Sequence, residues 1–191
     1  MTAPSFIVGI GGSAGGVAAY KALLDSLPVD TGMAFVIVSH MLPTASSELA
    51  AILSSHTKMP VALASERSPI QANHVYICPP NVDLRVERRT FRLVSPRTRN
   101  QQVDLFLGSL ARAMGPQAIA IILSGYDGDG TEGCRQIRAG GGVTFAQDGS
   151  ATVDSMPLSA QSSGCVDFVL PPAGIARELQ RLAKAFDAGP R

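Results

Sequence analysis

The chain has 191 residues, of which 46% are hydrophobic and 16% charged, with a formal net charge of +1. That length suits one α/β domain with a full core, and so slight a charge imbalance excludes composition-driven binding to nucleic acid or to a membrane surface. The three cysteines, Cys78, Cys134 and Cys165, form an odd set without metal-ligand spacing, as expected of thiols packed in the core of a protein kept in a reducing cytoplasm.

In chain order, Phe6–Ile10 is a short apolar strand, preceded by residues 1–5 without the basic region of a signal peptide. A glycine-rich octet, Gly9-Ile10-Gly11-Gly12-Ser13-Ala14-Gly15-Gly16, then leads into a helical pattern over Ala14–Leu27. The second strand, Ala34–Val38, runs into Ser39-His40-Met41 and is followed by a helix over Ser46–Ser55. Strands are predicted at Pro60–Ala62 and Val75–Cys78, and two more, Leu84–Val86 and Phe91–Val94, are joined through Glu87-Arg88-Arg89-Thr90 as a hairpin. In the third helix, Val103–Met114, the residues Val103, Phe106, Leu107, Leu110 and Met114 keep helical spacing on one face. Strand Ala118–Leu123, helix Thr131–Ala139, strand Val143–Ala146, helix Pro157–Ser162, strand Val166–Val169 and helix Gly174–Phe186 complete the pattern. No apolar run approaches the length of a membrane span. Strand alternating with helix implies a doubly wound, mostly parallel α/β sheet with helices on both faces, here with a small antiparallel hairpin at one edge.

Gly11-Gly12-Ser13-Ala14-Gly15 matches G-x-S-x-G, the pattern of a nucleophile elbow between strand and helix. Two other readings stay open: a purely structural glycine turn, and the dinucleotide fingerprint G-x-G-x-x-A from Gly9, Gly11 and Ala14. The fingerprint lacks its ribose-binding acid, since no Asp or Glu lies between Asp30 and Glu48. A Walker loop is excluded because no Gly-Lys-Ser/Thr follows.

In a parallel sheet, functional groups gather where loops leave the carboxyl ends of strands. Ser13 follows the first strand and His40 the second, and Ser124-Gly125-Tyr126-Asp127-Gly128-Asp129-Gly130 follows strand 118–123. Together they supply the parts of a Ser-His-Asp triad. Singly, each has a plainer role: Ser13 as a helix cap, His40 as a loop histidine, the Asp127/Asp129 loop as a metal site, though one short of acidic ligands. His56 and His74 are read as surface or boundary residues. The order Ser, His, Asp differs from that of α/β-hydrolases, and a serine after the first strand has no upstream loop for the usual second oxyanion donor. Backbone N–H groups of Ala14 and Gly15 and the loop at Tyr126 are the candidate oxyanion and substrate contacts. Arg88, Arg89, Arg92, Arg97 and Arg99 crowd one region, read as a solvated hairpin face or as an electrostatic guide for an acidic partner.

Four motifs then carry a resemblance: Ile10–Gly16, Val38–Met41, Asn73–Asn81 and Leu123–Gly130. With them, from about Phe6 to Pro172, the sequence resembles the catalytic domain of the CheB-type chemotaxis receptor methylesterases, in particular the branch fused to a receptor methyltransferase. The resemblance implies a cytoplasmic protein-glutamate methylesterase that hydrolyses γ-glutamyl methyl esters on receptor signalling helices and also deamidates glutamines. It matches Ser13 to the nucleophile, His40 to the base and Asp129 to the orienting acid. It implies no metal or organic cofactor, and as partners the methylated receptor helices and a receptor methyltransferase. Residues 1–191 then form a single methylesterase-like catalytic domain without a receiver domain. Gly12 stands where the family usually has Ala. Tyr126, Asp127 and Gly128 replace the middle of the family's acid loop, which leaves Asp127 as the alternative acid. The alternative function is a non-catalytic signalling module on the same fold.

Overall fold

The computed structural model describes residues 2–39, 45–96 and 100–189. Seven strands, β1 (Ile7–Gly12), β2 (Ala34–Ser39), β3 (Val61–Leu63), β4 (His74–Ile77), β7 (Ala118–Ile122), β8 (Val143–Gln147) and β9 (Phe168–Leu170), form one sheet in the order β3-β4-β2-β1-β7-β8-β9. Every pairing in it is parallel. The strands β5 (Asp83–Glu87) and β6 (Thr90–Val94) form a separate antiparallel pair. The helices are α1 (Gly16–Asp25), α2 (Ala45–Ser54), α3 (Gln102–Met114), α4 (Thr131–Ala139), α5 (Ser155–Ser162) and α6 (Pro172–Asp187). Winding starts at β1, runs outward through β2, and resumes on the other side with β7. The switch point therefore lies between β1 and β7, where open α/β sheets leave a crevice beyond the carboxyl ends of the strands.

An all-parallel sheet needs both faces covered, and alternation along each strand supplies two cores. Val8, Ile10, Phe35, Ile37, Ile119, Ile121, Leu123 and Phe145 face α1, α2 and α6. Ile7, Ala34, Val36, Val38, Ala118, Ala120 and Ile122 face α3, α4, α5 and the hairpin. The second face includes three alanines, Ala34, Ala118 and Ala120, and β1 adds two glycines to it. A Cβ at Gly9 would lie 2.6 Å from Leu107 Cδ2, and one at Gly11 would lie 2.5 Å from Val103 Cγ1. Their absence lets α3 settle directly on the strand that carries Ser13. The dinucleotide reading of Gly9 and Gly11 falls here, because their open faces are filled by α3 and not presented to a pyrophosphate.

The hairpin lies on α3, with Leu84, Val86 and Phe91 in the same core as Phe106 and Leu110. It also pairs with the segment before β4, through Arg67 N–H to Phe91 O (2.8 Å) and Ile70 N–H to Arg89 O (2.9 Å). Two of its arginines have structural duties. Arg89 donates to Pro4 O (2.6 Å) and Gln117 Oε1 (2.9 Å), and Arg92 pairs with Glu66 (2.9 Å) and Glu87 (3.6 Å). Arg97 and Arg99 lie outside the described residues. All three cysteines are buried free thiols. Three helix starts differ from the sequence pattern by two residues, among them α5, which begins at Ser155 and not at Pro157. The first begins at Gly16 because Gly15, at φ +75°, still belongs to the turn. The last begins at Pro172, a residue whose fixed φ and missing N–H suit the first helical position.

Candidate active site

Ser13 sits in the three-residue turn between β1 and α1, half-buried. Its N–H donates to Ser124 O (2.9 Å) and its carbonyl accepts from Gly16 N–H (2.9 Å). The loops after β1 and β7 are thus joined across the switch point. The next carbonyl, Ala14 O, accepts a hydrogen bond from Ser124 Oγ (2.8 Å). Gly125 packs so closely here that a Cβ on it would lie 3.0 Å from Ser13 N and 2.1 Å from Met156 Sδ. The N–H groups of Ala14 and Gly15 have no backbone acceptor among the described residues. They precede α1, and are not, as the sequence suggested, part of its first turn.

Gly12, the residue before the serine, has a local reason. A Cβ there would lie 2.5 Å from Tyr20 Oη. Tyr20 rises from α1 as a fully buried side chain, and its hydroxyl has no partner among the described residues that meets hydrogen-bond geometry. Burial pushes its phenol up to about 12, against a smaller opposing pull from Ser39.

The acid loop resolves into two different aspartates. Asp129 is 4% exposed. Its Oδ2 accepts Val103 N–H (3.0 Å) and its Oδ1 accepts Asp104 N–H (2.9 Å). Both donors belong to the first turn of α3, whose positive dipole end favours a carboxylate. Asp127 is exposed at φ +69°, and its Oδ1 accepts Asp129 N–H (2.9 Å). Gly130 then caps α4 at φ +95°. Val103 ties the two loops together, since its Cγ1 would meet a Cβ at Gly11 (2.5 Å) and at Gly130 (2.9 Å). Beside Asp129, Asp104 accepts Gly133 N–H through Oδ1 (2.7 Å). Burial raises the Asp104 carboxyl above its ordinary value, the Gly133 bond opposes this, and the neighbouring Asp129 adds to the rise.

Ser13, Ala14, Gly15, Tyr126 and Asp129 are therefore gathered at the carboxyl ends of β1 and β7. Tyr126 is 64% exposed at the rim. β2 ends at Ser39, paired with Gly12; the next residue, His40, lies outside the described residues. His56 is set apart, bonded to Asp25 (3.0 Å), and His74 bonds Ala72 O (2.8 Å). Among the described residues no three His, Cys, Asp or Glu side chains gather as a metal site, and Asp127 and Asp129 are engaged with backbone N–H groups as above. Sequence reasoning missed the α3 N-terminus as the holder of Asp129 and Ser124 as the link between loops. The only sequence signal for the first was a helix start without a local cap.

A sequence model described as CheB methylesterase matches residues 8–179. The chain is 37% identical over 186 residues to the protein-glutamate methylesterase/protein-glutamine glutaminase of group 3 operon of Rhizobium meliloti, covering 95% of this chain and 52% of that protein. It is 33% identical over 182 residues to a putative protein-glutamate methylesterase/protein-glutamine glutaminase of Leptospira interrogans, covering 93% and 91%. The crystal structure of the Thermotoga maritima CheB methylesterase catalytic domain superposes with a TM-score of 0.87 at 29% identity, covering 95% of this chain and all of that one. The chain spans about half the length of several curated relatives it matches.

Proposed function

Because the chain belongs to the CheB methylesterase family, we propose that it hydrolyses γ-glutamyl methyl esters of chemotaxis receptors, and deamidates receptor glutamines, through an acyl-enzyme. The observation that supports this most is the pairing at the switch point: the Ser13 turn is bonded to the β7 loop, and that same loop carries a buried Asp129 held at a helix N-terminus.

In this reading His40 takes the proton of Ser13 as Oγ attacks the ester carbonyl. Asp129 holds the imidazole in one tautomer and stabilises the imidazolium. The oxyanion is met by the N–H groups of Ala14 and Gly15 and by the loop at Tyr126, each such donor contributing about 3–4 kcal/mol in comparable sites. The C–O bond breaks, His40 returns the proton, and methanol leaves. Water, deprotonated by His40, then opens the acyl-enzyme to give glutamate and free Ser13. A glutamine side chain follows the same course and releases ammonia. None of these steps calls on a metal or organic cofactor.

The reading takes residues 1–191 as one catalytic unit acting on the cytoplasmic signalling helices of receptors, with a receptor methyltransferase as a second partner. No helix among the described residues is long and apolar enough to cross a membrane. The test is methanol release from methylated receptor. Ser13→Ala is expected to lower it by several orders of magnitude while the far-UV spectrum stays unchanged. Near-normal release by the folded variant would overturn the proposal.

A further inference from the structure

We infer that Ser124 is a positioning residue for this hydrolysis: its hydroxyl sets the Ala14–Gly15 peptide so that the Gly15 N–H serves the oxyanion. The inference rests on the reading of Ser13 as nucleophile.

Ser124 follows β7 and is 1% exposed. Its hydroxyl donates to Ala14 O (2.8 Å) and accepts Val153 N–H (2.9 Å). Its carbonyl accepts Ser13 N–H (2.9 Å) and its own N–H donates to Gln147 Oε1 (3.0 Å). A serine hydroxyl has one proton. Since Val153 arrives as a donor, that proton is committed to Ala14 O.

The consequence follows from peptide geometry. In a planar trans peptide the C=O and the N–H point in opposite directions. Drawing the Ala14 carbonyl inward to buried Ser124 turns the Gly15 N–H outward, to the exposed side on which Gly15 lies. Ser13 N–H is already spent on Ser124 O, so it does not serve as a donor to the oxyanion. The local backbone does not fix this orientation by itself, because glycine takes either sign of φ at little cost. Gly15 stands at φ +75°, and a Cβ there would lie 2.5 Å from Ser124 Oγ. Glycine permits the approach, and the Ser124 hydroxyl selects one of the two peptide orientations.

The experiment compares wild type, Ser124→Ala, Ser124→Cys, Ser124→Thr and Ser13→Ala, each in the full chain. Three quantities are read: kcat and KM for methyl-ester hydrolysis, the rate of covalent labelling by a fluorophosphonate, and the urea midpoint. Labelling joins phosphorus to Ser13 Oγ with loss of fluoride, and it develops charge on the same oxygen position. Ser124→Ala is expected to lower kcat about 10- to 100-fold, less than the roughly 100- to 1,000-fold cost of losing an oxyanion donor outright, because the Gly15 N–H is misdirected and not removed. KM should stay within about twofold, and labelling should fall in step with kcat. Ser124→Cys keeps the side-chain shape but puts a larger sulfur, only a weak donor, in place of the hydroxyl. It should fold as wild type does and lose rate, and it carries the test if the alanine variant does not fold. Ser124→Thr keeps the hydroxyl and should recover most of the rate. A folded alanine or cysteine variant with wild-type kcat and labelling would overturn the inference. So would a loss confined to KM, or a folded threonine variant as slow as the alanine one. If instead Ser13→Ala still releases methanol, it is the nucleophile reading that fails, whatever Ser124 does.

Discussion

Asp129 and Asp127 stand two residues apart in sharply different surroundings. A carboxylate that orients an imidazole has to be held by its own neighbours. Asp129 is buried and takes two N–H groups from α3; Asp127 is exposed and spends an oxygen on the Asp129 N–H. We therefore expect Asp129→Asn to slow ester hydrolysis by orders of magnitude, as the cost of a wrong histidine tautomer implies. Asp127→Asn retains an acceptor for the same N–H and should cost no more than about tenfold, the effect of a slightly loosened loop being far smaller than that of a wrong tautomer. Steady-state rates of the two variants decide it, and exchanged phenotypes would move the acid to Asp127. The same scale explains Gly12. The family's usual alanine would place a methyl group against the Tyr20 hydroxyl, so the glycine and the tyrosine answer one another across the turn.

At the scale of elements, α3 organises the site: it lies on the glycine floor of β1, and its first turn holds Asp129. An acid in a helix's first turn is ordinarily favoured by the dipole, but Asp104 has its carboxyl raised above 3.8 by burial, with Asp129 adding to it. A raised folded-state pKa means that the folded protein binds the proton more tightly than the unfolded chain. Its contribution to stability is present below the ordinary aspartate range and is lost as pH rises through the raised value. Asp104→Asn keeps an acceptor for Gly133 N–H and removes the charge. Urea denaturation should find the variant gaining on wild type between pH 4 and pH 7; a gap that narrows over that range would contradict the shift. The elements themselves were largely legible, because apolar runs and helical spacing alternate along the whole chain, and the G-x-S-x-G and Asp-Gly-Asp-Gly loops marked the ends of β1 and β7. Three things were not legible. The start of α1 depends on a positive φ at Gly15. The seat of the hairpin on α3 comes from tertiary packing of Leu84, Val86 and Phe91. The bond of Ser124 to Ala14 spans 110 residues of chain and those of Asp129 to α3 span 26 and 25, beyond any local pattern.

For the whole molecule, the two cores share one sheet, and each covers a face the other cannot. A parallel sheet stripped on one side has no stable alternative in water, so loss of either helical layer should unfold both. The cysteines report on this, because Cys78, Cys134 and Cys165 all belong to the core on the α3 side. Phe35 lies fully buried in the opposite core, with α1, α2 and α6. Phe35→Ala removes a side chain that touches none of the thiols' own layer, at a cost of about 3–5 kcal/mol. With a slope of a few kcal/mol per molar urea, the midpoint should fall by about 1–2 M. If the sheet couples the faces, thiol reactivity and far-UV signal will move down together by that same amount, in one transition. If the faces were separable, Phe35→Ala would lower the far-UV signal early and leave the thiols protected up to the wild-type midpoint. Labelling with a fast thiol reagent across a urea series distinguishes the two. Joint movement is the expected result, because β1, β2 and β7 contribute alternate residues of the same strands to both cores.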